Sequence, residues 1–360
     1  MSGKINLRQG FGWRRRRNIM AAVVTHLEKV DRLYGCFLGL ILGDAIGIPW
    51  KTMHEREIMM YTRRAGVTGF SEPVQTGIKE ARYLRRGDFT SNWLMTKVVA
   101  ESLVESHGFS KADFTARLLV EFERRPELFF ELNRDAIIQL KAKTNKEMKP
   151  FFKEVEGGND LIKVCPLAIY YRDDHEAFWQ ALVEMIELTN QGLASMISAY
   201  IFGLALGYIY ENGPINSLSG SQELLQKLIS SLFKRETALG LNPEVNDSRL
   251  FKNLRIMSLM VSDRKINDLT KVKEGIPPTG CIVDDVVFCL SLFFRNSCNF
   301  KRGILEAASC GGDADVNSAM VGALIGANLG QRGLPADWSN FKKEYKQEAE
   351  RLSVRLHHKV

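Results

Sequence analysis

Apolar positions recur along this chain at the three-to-four-residue spacing of helix faces, and period-two alternation is nearly absent. Residues 33–46 form an apolar run with Gly35, Gly39 and Gly43 four residues apart. That spacing puts three small residues on one helix stripe, where a second backbone can come close. Ser110 followed by Asp113 is a capping pattern ahead of a periodic run over 114–122. Further helices are predicted over 94–104, 176–188, 223–233, 283–294, 301–309, 316–329 and 338–356, the last with a Lys/Glu-rich outer face. No Asn-Gly or Asp-Gly turn lies between strand-like runs, so the expected class is all-α. The stretch 211–280 mixes turn residues (Gly213-Pro214, Gly240, Asn242-Pro243, Pro277-Pro278) with one clear helix, and reads as a variable insertion. The expected organisation is an N-terminal arm over 1–29, one domain over 30–345, and a helix end and tail over 346–360.

Composition narrows the class without naming a chemistry. At 360 residues, 45% hydrophobic and 25% charged, the chain can bury a large core and is not of disordered type. The net charge of +7 is local. Residues 1–17 carry six basic side chains (Lys4, Arg8 and Arg14 to Arg17) and no acid, leaving 43 basic against 42 acidic residues elsewhere. A nucleic-acid-binding domain would spread such charge over a folded face, so no nucleic-acid partner is expected and the arm reads as a flexible, solvated tail. The apolar stretch 19–24 is too short for a signal-peptide core and runs into Thr25-His26-Leu27-Glu28-Lys29. The longest apolar run, 196–210, falls short of the ~18 residues of a membrane span and is predicted as a buried core helix. Six cysteines without a C-x-x-C pair read as reduced, mostly buried thiols of a cytoplasmic protein, expected to be a monomer.

Three segments could carry chemistry. Gly311-Gly312-Asp313-Ala314-Asp315 turns sharply just before an apolar helix, and its two carboxylates could converge on a cation or on sugar hydroxyls; read alone, it is as well a doubled helix cap. Asp44 is one acid in an apolar, glycine-spaced helix, either paired or coordinated, or a helix-end residue capping a neighbour. Gly87-Asp88-Phe89-Thr90-Ser91-Asn92-Trp93 is a polar turn in which Thr90 or Ser91 could simply be an N-cap.

Taken together and in order, these segments resemble the ADP-ribosylglycohydrolase family. Residues 34–49, Tyr-Gly-Cys-Phe-Leu-Gly-Leu-Ile-Leu-Gly-Asp-Ala-Ile-Gly-Ile-Pro, are similar to its opening helix. Residues 87–93 with Ala100-Glu101-Ser102-Leu103 resemble its G-D-W-T-D-D-T segment and A-E-S-L continuation. Gly158-Asn159 through Lys163-Val164-Cys165-Pro166-Leu167-Ala168 resembles its G-N-G-x-x-M-R-I-A-P-L-A stretch. Residues 311–326 resemble its G-G-D-A-D-T-N-A-A-M-V-G-A-L-L-G signature. The resemblance implies a compact orthogonal helical bundle with a central cleft that binds two magnesium ions and cleaves ADP-ribose from protein side chains, often arginine.

The sequence departs from that pattern at the metal site. By position the ligands would be Thr90, Ser91, Asn92, Asp313, Asp315 and Val316, of which Thr90, Asp313 and Asp315 keep a ligand's chemistry. Trp93 stands for a Thr, Lys51 for a Glu and Asn190 for a His. Magnesium prefers carboxylate oxygens in octahedral geometry, so a weak site holding one Mg²⁺ or none is expected, with Lys51 supplying positive charge if it points inward. Asp313 and Asp315 are then the expected catalytic acids, with Asp44, Lys51, Asp88, Ser91, Asn92, Gly311 and Gly312 around the substrate. The partners expected are ADP-ribose and an ADP-ribosylated protein. Two other functions fit the same residues: binding of ADP-ribose or a nucleotide without turnover, and a structural or interaction role. Delivery into another cell is a further expectation attached to the basic arm.

Overall fold

The computed structural model describes residues 7–74, 84–129, 134–135, 137–138, 140–141, 161–188, 192–241, 248–339 and 342–358, with side chains from Thr25 onward. Gly158, Asn159 and Asn190 of the expectations above lie outside the described residues. The helices in order are α1 (Leu7–Gly47), α2 (Glu55–Tyr61), α3 (Ser91–Ser106), α4 (Lys111–Arg124), α5 (Cys165–Tyr170), α6 (His175–Ile186), α7 (Leu193–Asn212) and α8 (Leu218–Ala238). They are followed by α9 (Arg249–Ser262), α10 (Leu269–Gly275), α11 (Ile282–Asn296), α12 (Phe300–Ser309), α13 (Ala314–Leu329), α14 (Ala336–Ser339) and α15 (Lys343–His357). The all-α expectation holds: among the described residues the β-type pairing is one isolated antiparallel bridge, His54 to Gly311.

The frame of the molecule is the antiparallel pair α1 and α13. The glycine stripe predicted on α1 is what lets them meet. A Cβ built on Gly39 would lie 2.1 Å from the carbonyl oxygen of Gly322, and one on Gly322 would lie 2.1 Å from that of Gly39. Gly35 faces Gly326 in the same way, Gly43 faces Ser318, and Gly47 faces Ala314. Side chains as small as these permit backbone-to-backbone contact that any Cβ would block. Because the pair is antiparallel, the C-terminal turn of α1 lies beside the first turn of α13. Asp44 and Asp315 are thereby brought to the same end of the core.

The remaining helices cover this pair. α7, a 20-residue apolar helix, packs against α11 and α13. It and residues 25–50, the later part of α1 with the short turn after it, are long and apolar enough to cross a membrane by length and composition. The apolar windows are 67% and 100% buried within the fold, so both serve as core helices, although α7 is longer than the apolar run that marks it. Ser110 caps α4 as expected, its Oγ accepting from the Asp113 amide at 3.3 Å. The stretch 211–280 is more helical than its turn residues suggest, holding α8, α9 and α10. α9 buries Leu250, Phe251, Leu254, Met257, Met260 and Val261 along one face. The single helix predicted over 338–356 is divided: Lys342 takes a left-handed φ of 45° between α14 and α15. Residues of the segment expected as a flexible arm, from Leu7 on, continue α1. The helix end expected within 346–360 is that of α15, which runs to His357 with Ala349, Leu352 and Leu356 buried against the core.

α15 closes on the middle of α1 through histidines. Tyr210 Oη and His357 Nδ1 are 2.5 Å apart, and His357 Nε2 and His26 Nδ1 are 2.8 Å apart. Burial first, and then the neighbouring His26, His358, Lys29 and Arg172, push His357 down from 6.5 to about 4. Folded protein therefore refuses a proton that the unfolded chain accepts below about pH 6.5, so this contribution to stability is present above 6.5 and is lost as pH falls toward 4. The expected result is a smaller drop in Tm between pH 7 and pH 5 for His357→Gln than for wild type, measured by thermal melting. Equal drops would refute the assignment.

Candidate active site

The segment after α1 and the turn before α13 are joined by backbone. Thr52 N donates to Gly312 O at 2.8 Å, and Gly312 N donates to Met53 O at 2.9 Å. Gly311 and Gly312 have φ of 75° and 64°, and a Cβ on Gly311 would lie 2.1 Å from Met53 O. Two glycines are needed at this turn for conformation and for contact together. The pairing delivers Lys51 onto the two acids. Its Nζ is 2.7 and 2.8 Å from the two oxygens of Asp315, and 3.6 Å from Asp313 Oδ1. Asp313 is at the N-cap position of α13 but makes no side-chain capping bond, and Asp315 is committed to Lys51. The doubled-cap alternative therefore fails.

Across the cluster, Thr90 is the N-cap of α3, its Oγ1 accepting from the Asn92 amide at 3.3 Å. Asp44 Oδ2 accepts from Thr90 N at 2.9 Å and from Thr90 Oγ1 at 3.0 Å. Both alternatives for Asp44 are thus partly met. It anchors the neighbouring turn, and it lies near enough to Asp315 and Lys51 to feel their charge. Its other oxygen is buried without a partner. Burial, then the charge of Asp315, pushes its carboxyl up to about 8.

Exposure separates the two expected acids. The Asp315 side chain is 1% exposed, the Asp313 side chain 25% and the Lys51 side chain 11%. Burial opposes the charge on Lys51, but Asp315 and then Asp313 outweigh it and hold the ammonium above the ordinary lysine range. Burial pushes Asp315 up, with Lys51 as the chief opposing pull.

Other expected residues fall at the edge. Ser91 and Asn92 are buried in the first turn of α3, and Asn92 Nδ2 has no partner. Asp88 stands apart from the cluster: it accepts from Arg85 N at 2.7 Å and from Lys342 Nζ, so it holds the loop against the start of α15. Trp93 is a core residue, edge-on to Phe37, with its indole N–H donating to Glu348 at 3.0 Å.

Asp285, on the first turn of α11, belongs to the site and was missed in the sequence. It is 2% exposed, one oxygen accepts from Gly280 N at 3.3 Å, and the other is buried without a partner. Burial, then the charge of Asp313, pushes it up to about 7. The signal was Asp284-Asp285 inside an apolar helix. Adjacent helical residues point in different directions. Asp284 is fully paired by Arg249, Asn253 and Thr279, which leaves Asp285 for the cleft.

A magnesium ion fits this donor set poorly. Both oxygens of Asp315 hold an ammonium, Val316 is aliphatic, and the orphaned Asn92 atom is a donor rather than a ligand. Among the described residues, no group of three or more His, Cys, Asp or Glu side chains is arranged to hold a metal ion.

The chain is similar throughout to proteins that act on ADP-ribose. ADP-ribosylarginine hydrolase Tri1 of Pseudomonas putida (strain GB-1) is 23% identical over 93% of this chain and 80% of that protein. ADP-ribosylhydrolase ARH3 of Gallus gallus is 21% identical over 94% of this chain and 95% of that protein. Among solved structures, an ADP-ribosylglycohydrolase-related protein complex matches with a TM-score of 0.64 at 22% identity, covering 92% of this chain and 98% of that one. At that identity the likeness shows the fold. The ADP-ribosylglycohydrolase family model matches residues 25–360, taking in every segment of the site, and so the chain belongs to the ADP-ribosylglycohydrolase family.

Proposed function

We propose that this chain hydrolyses the glycosidic bond between ADP-ribose and a protein side chain, arginine first. The observation that carries the reading is the Gly311–Asp315 turn. It folds so that both its acids meet Lys51, with Asp44 of α1 and Asp285 of α11 close enough to feel their charge and the first turn of α3 held to the cluster through Thr90 and Asp44. The similarity to ADP-ribosylarginine hydrolases supports the choice of linkage.

Hydrolysis breaks the bond from C1″ to the guanidine nitrogen, joins C1″ to the oxygen of water, and returns a proton to the leaving guanidine. The transition state carries positive charge at C1″. Asp313, the more exposed acid, faces the water and takes its proton. Asp315 and Lys51 hold the ribose hydroxyls, an acceptor and a donor side by side. Asp285, its carboxyl raised by burial and by the charge of Asp313, adds a second acid near it.

The test is release of free ADP-ribose from an ADP-ribosylarginine protein. Asp313→Ala is expected to slow it by roughly 10²–10⁴-fold, the usual worth of a positioned general base. Release from serine-linked but not arginine-linked substrate would overturn the linkage. No release from either, by folded protein, would overturn hydrolysis. ADP-ribose binding without turnover is the second reading, and the neutralisation of Asp315 by Lys51 favours it; ADP-ribose binding by calorimetry together with no release from either linkage would select it.

A further inference from the structure

We propose that the Lys51 ammonium is the resident cation of this site, occupying the position between Asp313 and Asp315 and making the site independent of divalent metal. The inference rests on the assignment of this cluster as the ADP-ribose site, but its test reads metal binding and needs no turnover.

Three observations carry it. The first is placement. A lysine reaching in from solvent would keep rotamer freedom, whereas Lys51 is fixed at its root by the Thr52 and Gly312 backbone bonds and at its tip by both oxygens of Asp315. Its side chain is 11% exposed, so the charge is largely removed from water and is answered chiefly by Asp315 and Asp313, with Asp44 adding to them. The second is the count of charge. One ammonium faces Asp315 in close contact and Asp313 at 3.6 Å; Asp44 and Asp285 nearby are buried acids whose carboxyls are pushed up to about 8 and about 7, and the turn opposite offers Thr90, Ser91 and Asn92, all neutral. A divalent ion would have to enter beside a fixed positive charge or break its contacts with Asp315; both cost affinity. The third is donor geometry. An ammonium has three N–H groups, and two are spent on Asp315, leaving one directed at Asp313 or at an oxygen of a bound ligand. A single positive charge with one free donor can bind a ribose hydroxyl or a diphosphate oxygen without a metal as intermediary.

The experiment is a Mn²⁺ titration, followed by electron paramagnetic resonance of free Mn²⁺ and by thermal melting, on the full chain. Four forms are compared: wild type; Lys51→Ala; Ser91→Asp with Asn92→Asp; and all three changes together. Wild type is expected to show no binding below millimolar Mn²⁺. In the background with both aspartates, loss of Lys51 is expected to tighten Mn²⁺ binding by at least about tenfold, because a like charge at contact distance is removed. Lys51→Met, which keeps the apolar stem, replaces Lys51→Ala if the latter does not fold. Submillimolar Mn²⁺ binding by wild type would overturn the proposal. So would equal affinity with and without Lys51 in the aspartate background. ADP-ribose affinity unchanged by a chelator in wild type supports it, and its loss would count against it; neither result depends on hydrolysis.

Discussion

Gly39→Val is expected to lower stability by roughly 3–5 kcal/mol, beyond the usual range for overpacking, because the new side chain meets backbone rather than a movable side chain. A Cβ at that position already lies 2.1 Å from Gly322 O and 2.8 Å from its carbonyl carbon. The γ-methyls add to the overlap, and neither helix can shift without opening the Gly35–Gly326 and Gly43–Ser318 contacts on either side. Separation of α1 from α13 would also draw Asp44 from Asp315, so ADP-ribose binding should fall with the urea midpoint. Gly69→Ala is the control. A Cβ there meets nothing within 4 Å, and the change should stay within about 0.5 kcal/mol. Equal midpoints for the two variants would refute the account of the helix pair.

The small-residue stripe of α1 was legible in the sequence because it depends on spacing alone. Glycines four apart on an apolar helix make a flat stripe whatever the partner; that the partner is α13, through Gly322 and Gly326, is set by the tertiary fold. The turn at 311–315 was legible for a similar reason: paired glycines before a helix specify the backbone, and the backbone aims the acids. What stayed hidden were contacts set by tertiary pairing. Asp285 could not be told from Asp284, since only the position of Arg249 on α9 decides which of the two is neutralised. α9 itself was masked by turn residues on both sides. The break at Lys342 leaves no mark in periodicity, because α14 and α15 both keep helical spacing across it. Lys51 was visible as a departure from the family pattern, but its direction depends on the Thr52 to Gly312 hydrogen bond, which pairs residues 260 positions apart.

Asp315→Ala is expected to cost roughly 3–5 kcal/mol, the penalty for leaving a buried charge without its partner. Lys51 would keep Asp313 at 3.6 Å and lose both of its close hydrogen bonds. The paired change Asp315→Leu with Lys51→Met should return to within about 1–2 kcal/mol of wild type, since apolar replacement of a whole buried ion pair is often neutral. Urea denaturation of the two single changes and the double change gives the coupling directly. Additive losses would mean that the two side chains do not act as a pair. If the double variant folds and fails to bind ADP-ribose, the pair is shown to serve the ligand rather than the scaffold. That outcome follows from the geometry: the glycine contacts between α1 and α13 and the Gly312 pairing are made by backbone with no help from either charge, so the charges are free to serve what binds beside them.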